Sequence, residues 1–190
     1  MARRAALTVH MGPEEYAALL ALVGAQRPRR CLEWGSGGST RALLADCDWI
    51  ERYVSIEHNP RWFERVRRTV TDPRLELHLL LPDPATPAPR HWKRRIQAWD
   101  ARAEREPAIL ADYVGFPATL GVPFDFVLVD GRARRFCLRA GWELLAPGGV
   151  LLLHDAQRPE YRDVLFSLGN PELLEPWSRG QLGVLRKGTG

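Results

Sequence analysis

Ten consecutive residues, Cys31-Leu32-Glu33-Trp34-Gly35-Ser36-Gly37-Gly38-Ser39-Thr40, have the types and spacing of a ligand-binding turn. A short strand ends near the acid Glu33, a glycine turn follows, and Ser39-Thr40 opens a helix. Glycine takes backbone angles closed to other residues, and its missing side chain lets a ligand lie against the main chain. The free amide groups at a helix start can donate to that ligand. Glu33 adds a carboxylate at the same place. Such a group favours a ligand with positive charge and repels a pyrophosphate.

Three more acidic positions extend the site. Glu57 ends a second predicted strand, where an acid can accept hydrogen bonds from both hydroxyls of a ribose. Asp130 ends the apolar run Phe126-Val127-Leu128-Val129, and an acid there needs a partner. His154-Asp155 ends a further run, Val150-Leu151-Leu152-Leu153. All lie at predicted carboxyl ends of strands, where open α/β sheets bind ligands. The dinucleotide fingerprint G-x-G-x-x-G is incomplete, because Thr40 stands at its third glycine. S-adenosylmethionine carries an ammonium and a sulfonium but no phosphate. It therefore suits this turn better than a nicotinamide dinucleotide.

The elements that must position these groups are legible in outline. Gly12-Pro13-Glu14-Glu15 starts a helix, with proline at the first position and acids in the first turn. Tyr16, Leu19, Leu20 and Val23 give it an apolar face, and Gly24 is its expected end. Strands are expected over 30–34, 53–57 and 75–81, with helices over 39–45 and from Pro60. The third strand alternates Leu75, Leu77 and Leu79 with Glu76 and His78, which marks an edge strand with one wet face. The continuous runs 126–129 and 150–153 are expected in the middle of a parallel sheet, buried on both faces. A helix over about 133–145 separates them, closed by Pro147-Gly148-Gly149. Strands alternating with helices make an α/β, doubly wound fold.

A proline-rich segment, about 82–123, interrupts that rhythm. Trp92, Ile96 and Trp99 recur at helical spacing and are expected to share a core-facing stripe, with a second short helix around Ile109 to Val114. An insertion of this length in a compact domain is often functional. The tail offers strands over 172–177 and 182–186.

With 190 residues, 45% hydrophobic and 26% charged, the chain reads as a single globular domain. A net charge of +4 permits an acidic partner without demanding one. The cysteines Cys31, Cys47 and Cys137 match no zinc spacing, and a reducing, cytoplasmic setting fits them. No apolar run reaches the ~20 residues that a membrane span needs. Arg3 and Arg4 are followed by no long apolar segment, so no signal peptide is expected.

On these motifs the chain resembles the class I S-adenosylmethionine-dependent methyltransferases with the Rossmann-like fold, over about 12–187. The resemblance implies a seven-stranded sheet of order 3-2-1-4-5-7-6 with strand 7 antiparallel. It also implies that Glu33, Gly35, Ser36, Gly37, Gly38 and Ser39 cradle the methionine part and ribose of the cofactor. Glu57 would bind the ribose, His58 would lie near the adenine, and Asp130 would match the acid of the fourth strand. Ala146-Pro147-Gly148-Gly149-Val150 matches the turn before the fifth strand, while Ser39 departs from the family's usual glycine. Asp83 is the candidate adenine contact after the third strand.

Methyl transfer needs an acceptor held close and often a base for its proton. Asp130, His154 and Asp155 are the catalytic candidates, and strand alternation would turn only one of the last two toward a given face. Asp130 and Asp155 also resemble the two acids of metal-dependent catechol-type enzymes. Ala156 stands where their asparagine would be, so a divalent metal is not favoured. The expected acceptor is a small or sugar-type molecule, modified on oxygen or nitrogen, with room for an anionic one beside the arginines of the insertion. Arg90, Lys93, Arg94 and Arg95 alone do not carry a nucleic-acid reading, because the neighbouring tryptophans lie on the apolar stripe. A nonenzymatic nucleoside-binding module and an RNA methyltransferase are the alternative functions.

Overall fold

A computed structural model describes residues 7–89, 93–175 and 180–189. Seven strands form one sheet: β1 (Arg30–Trp34), β2 (Arg52–Glu57), β3 (Leu75–Leu79), β4 (Phe124–Val129), β5 (Leu145–Leu153), β6 (Glu172–Leu173) and β7 (Gly183–Arg186). Their spatial order is β3-β2-β1-β4-β5-β7-β6. The first five run parallel, and β7 runs antiparallel to both β5 and β6. This is the expected doubly wound sheet, with β3 at one edge and β6 at the other.

Side-chain alternation divides the core into two layers. Leu32, Trp34, Val127, Val129, Leu151 and Leu153 point to one face. Cys31, Phe126, Leu128, Val150 and Leu152 point to the other. Helices α1 (Pro13–Gln26), α2 (Gly38–Asp46) and α3 (Pro60–Thr69) are placed along the chain around β1 and β2, and their apolar residues Leu19, Leu43 and Val66 join the second layer. Helices α4 (Lys93–Ala103), α5 (Ala111–Gly115), α6 (Arg134–Leu144) and α7 (Pro159–Ser167) contribute Trp99, Tyr113, Leu138 and Val164 to the first. All three cysteines are buried and free. No helix among the described residues is long and apolar enough to cross a membrane.

Several boundaries differ from the sequence reading. Helix α1 runs through Gly24 to Gln26 and ends where Arg27 turns left-handed (φ 45°), with its amide still donating to the carbonyl of the core residue Val23. Strand β3 stops at Leu79. Pro147-Gly148-Gly149 lies inside β5, at a register shift opposite β4, rather than after a helix that reaches Leu145. The insertion folds as α4, a 3-10 turn over Pro107–Leu110, α5 and a second 3-10 turn over Phe116–Leu120. Trp99 is buried as expected, but Ile96 is exposed. Trp92 and Trp177 lie outside the described residues.

Asn59 caps α3 through Oδ1, which accepts the Arg61 and Trp62 amides at 3.0 and 3.3 Å, with Pro60 at the first helical position. The start of α6 is capped from a distance. Glu104, just after α4, accepts the amides of Arg134 (3.1 Å) and Arg135 (3.2 Å), which ties the insertion to the helix that carries Arg134.

Candidate functional site

A cleft of about 520 Å³ opens at the carboxyl ends of β1, β2, β4 and β5. Its lining includes Gly35, Ser36, Gly37, Gly38, Ser39, Glu57, His58, Asp130, His154 and Asp155, so ten of the residues singled out in the sequence converge there. Glu33 and Asp83 are not among the lining residues.

Glu33 is fully buried beneath the loop. Period-two alternation places it on the face covered by α2, and β2 sets Ser55 beside it in register. Its carboxylate accepts hydroxyl hydrogen bonds from Ser39 (2.6 Å), Thr40 and Ser55 (2.8 Å). Thr40 Oγ1 in turn accepts the Gly37 amide at 2.7 Å. Glu33 thus fastens the strand end, the glycine loop and the helix start together. Burial pushes its pKa up to about 7, against the pull of the three hydroxyls. Ser39, at the position where a glycine was expected, supplies one of those hydroxyls.

The loop needs its glycines. Gly35 has φ 98°, and a Cβ there would stand 2.6 Å from the Gly131 backbone, where the β1 and β4 loops meet. At Gly38 a Cβ would stand 2.1 Å from the Thr8 carbonyl, because the segment before α1 crosses the start of α2. Val9 and His10 of that segment join the cleft wall.

Glu57 is held by backbone amides: Oε1 accepts from His58 (2.8 Å) and Asn59 (2.7 Å). Among the described residues its Oε2 has only a long contact with Ser36 Oγ at 3.4 Å, which leaves acceptor capacity facing the cleft. The His58 ring stacks on Trp99 of the insertion, with centroids 5.7 Å apart and planes 14° apart. Trp62 braces the loop through a hydrogen bond from its indole N–H to the Ser36 carbonyl. Asp83 closes its own turn, accepting the Ala85 amide at 2.7 Å.

On the β4–β5 side, cations hold the acids. Arg134 is buried and donates to the carbonyls of Gly131 (3.0 Å), Asp130 (3.1 Å) and His154 (2.5 Å). Its guanidinium also pairs with Asp130 Oδ1 and Asp155 Oδ2, each at 3.2 Å. Asp155 Oδ2 takes Arg158 as well, at 2.7 Å, and its Oδ1 accepts from Gln157. The chain leaves β5 at Leu153, and Asp155 turns left-handed (φ 63°). That turn breaks the alternation expected from the sequence, so both His154 and Asp155 reach the cleft.

His154 Nδ1 lies 2.6 Å from Asp130 Oδ1, and its Nε2 lies 3.2 Å from Glu15 Oε1 on α1. Burial opposes the charge on this ring, but Asp130 and Glu15 outweigh it and raise its pKa to about 10. Burial likewise works against an ionised Asp130, and His154 and Arg134 overcome it, so its pKa falls below the usual range. Asp130 Oδ2 meets no protein donor among the described residues. Neither acid forms part of a group of three or more His, Cys, Asp or Glu side chains placed to hold a metal, among the described residues.

Glu15, Trp62, Arg132, Arg134 and Arg158 were not anticipated from the sequence. The four-residue spacing of Asp130, just after β4, and Arg134, at the start of α6, was a signal that could have revealed their pair. Glu15 carried none, because its partner lies 139 positions away in the chain, at His154.

A family model described as a methyltransferase domain matches residues 32–156, well over half of the chain. No curated protein matches. Among solved structures, a methyltransferase-like protein from Silicibacter pomeroyi is 22% identical, with a TM-score of 0.60 over 95% of this chain and 89% of that one. An O-methyltransferase from Bacillus cereus, solved in complex with S-adenosylhomocysteine, is 19% identical, with a TM-score of 0.60 over 95% and 84%. An N-methyltransferase from Bradyrhizobium japonicum is 18% identical, with a TM-score of 0.54 over 92% and 95%. At these identities the likeness is one of fold.

Proposed function

The chain belongs to the methyltransferase-domain family, and from that premise we propose that it uses S-adenosylmethionine to methylate an oxygen or nitrogen of a small, anionic or sugar-type acceptor. The observation that carries this reading is the unspent acceptor capacity in the cleft. Glu57 Oε2 and Asp130 Oδ2 both lie beside a glycine backbone loop and have few protein partners. A ribose diol would satisfy the first, and an ammonium the second. Structural neighbours solved with S-adenosylhomocysteine support the same cofactor. When bound, S-adenosylmethionine supplies an electrophilic methyl group; the acceptor gains that methyl and loses a proton, and S-adenosylhomocysteine is left.

The chain's own residues would bind and orient. Gly35 to Gly38 would present bare backbone to the cofactor, and Glu33 would hold that loop in shape from below. Asp130 and Asp155, bridged by Arg134, would position the acceptor, with His154 beside Asp130 as a charged hydrogen-bond donor. Arg132 and Arg158 line the cleft and are partly exposed while paired with Asp100 and Asp155. A guanidinium has five donors, so one carboxylate partner leaves others for an anionic group on the acceptor.

Incubating the protein with isotopically methyl-labelled S-adenosylmethionine and, in separate reactions, an extract of small metabolites and total RNA tests the reading. Label should move into a low-mass acceptor, with S-adenosylhomocysteine released in equal amount. Cofactor binding without any release would support a nonenzymatic binding module, and label in RNA would support the RNA alternative.

A further inference from the structure

Glu15 is as fully buried as Glu33, but it lies on α1 and does not line the cleft. A buried carboxylate without a partner costs several kcal/mol. Among the described residues its Oε2 receives only a long contact from the Gly12 amide, at 3.4 Å, and its Oε1 faces His154 Nε2 at an ion-pair distance of 3.2 Å, with neither of these two facing atoms in a hydrogen bond. The other ring nitrogen of His154 faces Asp130 Oδ1 at 2.6 Å. A neutral imidazole carries one N–H, whereas this ring stands between two carboxylates. Two ionised carboxylates can be compensated at once only by the protonated ring. The other charged groups around it agree: Asp155 adds a negative charge nearby, and Arg134 donates to the His154 carbonyl rather than to its ring. The chain after β6 seals the pair, since a Cβ at Gly180 would stand 2.8 Å from Glu15 Oε1 and 3.0 Å from His154 Nε2.

We propose that Glu15 is a positioning residue for the active site: it holds His154 as a cation flanked by carboxylates on both ring nitrogens, which fixes Asp130 with Oδ1 engaged and Oδ2 open to the cleft. His154 then acts as a donor that orients Asp130, and it is not the base that takes the acceptor's proton. The N-terminal helix becomes part of the functional apparatus through this one buried contact. The effect on cofactor affinity rests on the S-adenosylmethionine reading; the state of the His154 ring does not.

The test combines nitrogen-resolved NMR of histidine-labelled protein with calorimetry of S-adenosylhomocysteine, both at about pH 8, above the ordinary histidine range. In the wild-type protein both ring nitrogens of His154 should carry protons. In Glu15→Gln, Nε2 should lose its proton, and affinity for S-adenosylhomocysteine should fall about fivefold. In a His154→Gln background the same Glu15→Gln change should alter affinity by about twofold or less, because the link is already cut. An equal loss in both backgrounds, or a wild-type ring with one bare nitrogen, would overturn the proposal. Should Glu15→Gln fail to fold, the wild-type spectrum still decides it. Failure of the wild-type protein to bind S-adenosylhomocysteine at any pH would instead defeat the cofactor reading alone.

Discussion

The two halves of the sheet hold their carboxylates by different means. On the β1–β2 side, Glu33 is held by three hydroxyls and Glu57 by two backbone amides. On the β4–β5 side, Asp130 and Asp155 are held by Arg134, Arg158 and His154. Neutral donors leave a buried charge largely uncompensated, so burial drives Glu33 up to about 7. Cations more than offset burial, so Asp130 is driven down. One half is therefore built to keep a shape, the other to keep a charge. That division suits a cofactor whose ribose needs acceptors on one side and whose cationic end needs a fixed negative charge on the other.

The largest effect should come from breaking the shape. Gly35→Val puts a branched side chain at positive φ and against the Gly131 backbone. It should cost about 3 kcal/mol or more of stability, read by thermal or denaturant unfolding, and abolish binding of S-adenosylhomocysteine.

Next comes charge, read as pH dependence of stability. His154 has its folded pKa raised from 6.5 to about 10. Its contribution is fully present below about pH 6.5 and is lost as pH rises through about 10, a change on the order of 5 kcal/mol. Glu33 has its folded pKa raised from 4.5 to about 7, so the folded state there binds the proton more tightly than the unfolded chain. Stability from this group declines as pH rises from about 4.5 to about 7, by about 3 kcal/mol, and is flat above. Denaturant titrations over pH should show His154→Gln removing the alkaline loss and Glu33→Gln removing the lower one. If either variant removed the other's limb, the contrast between the halves would be wrong.

Glu57→Gln keeps the size of the side chain and removes its charge. It should weaken S-adenosylhomocysteine by about tenfold to a hundredfold in calorimetry, the worth of a charge-assisted hydrogen bond. The smallest effect is expected at Arg158→Ala. That side chain is 46% exposed in its pair with Asp155. Unfolding should show a loss of about 1 kcal/mol or less.

The sheet was legible because continuous apolar runs such as Val150 to Leu153 mark strands covered on both faces, and their order follows from the family pattern. The glycine loop, Glu57, Asp130 and the His154-Asp155 pair were legible for a related reason: each sits at a strand end, and strand ends are local in sequence. What escaped depends on contacts between distant segments. Glu33 reads as an acid beside the ligand, but alternation turns it under α2, where Ser39, Thr40 and Ser55 meet it. The expectation that only one of His154 and Asp155 faces the cleft failed at a single backbone turn, the left-handed Asp155. Arg134 reads as one basic residue among many, and its burial becomes visible only when Asp130 and Asp155 are brought to both sides of it. The apolar stripe of α4 was half right, because Trp99 packs inward against His58 while Ile96 stays at the mouth of the cleft.

Calorimetric titration of the wild-type protein with S-adenosylhomocysteine and, separately, with NAD is the most direct measurement. One molecule of S-adenosylhomocysteine should bind per chain, with an affinity that Glu57→Gln weakens, and NAD should give no heat of binding. Binding of NAD in preference to S-adenosylhomocysteine, or binding of the latter that Glu57→Gln leaves unchanged, would contradict the assignment of this cleft.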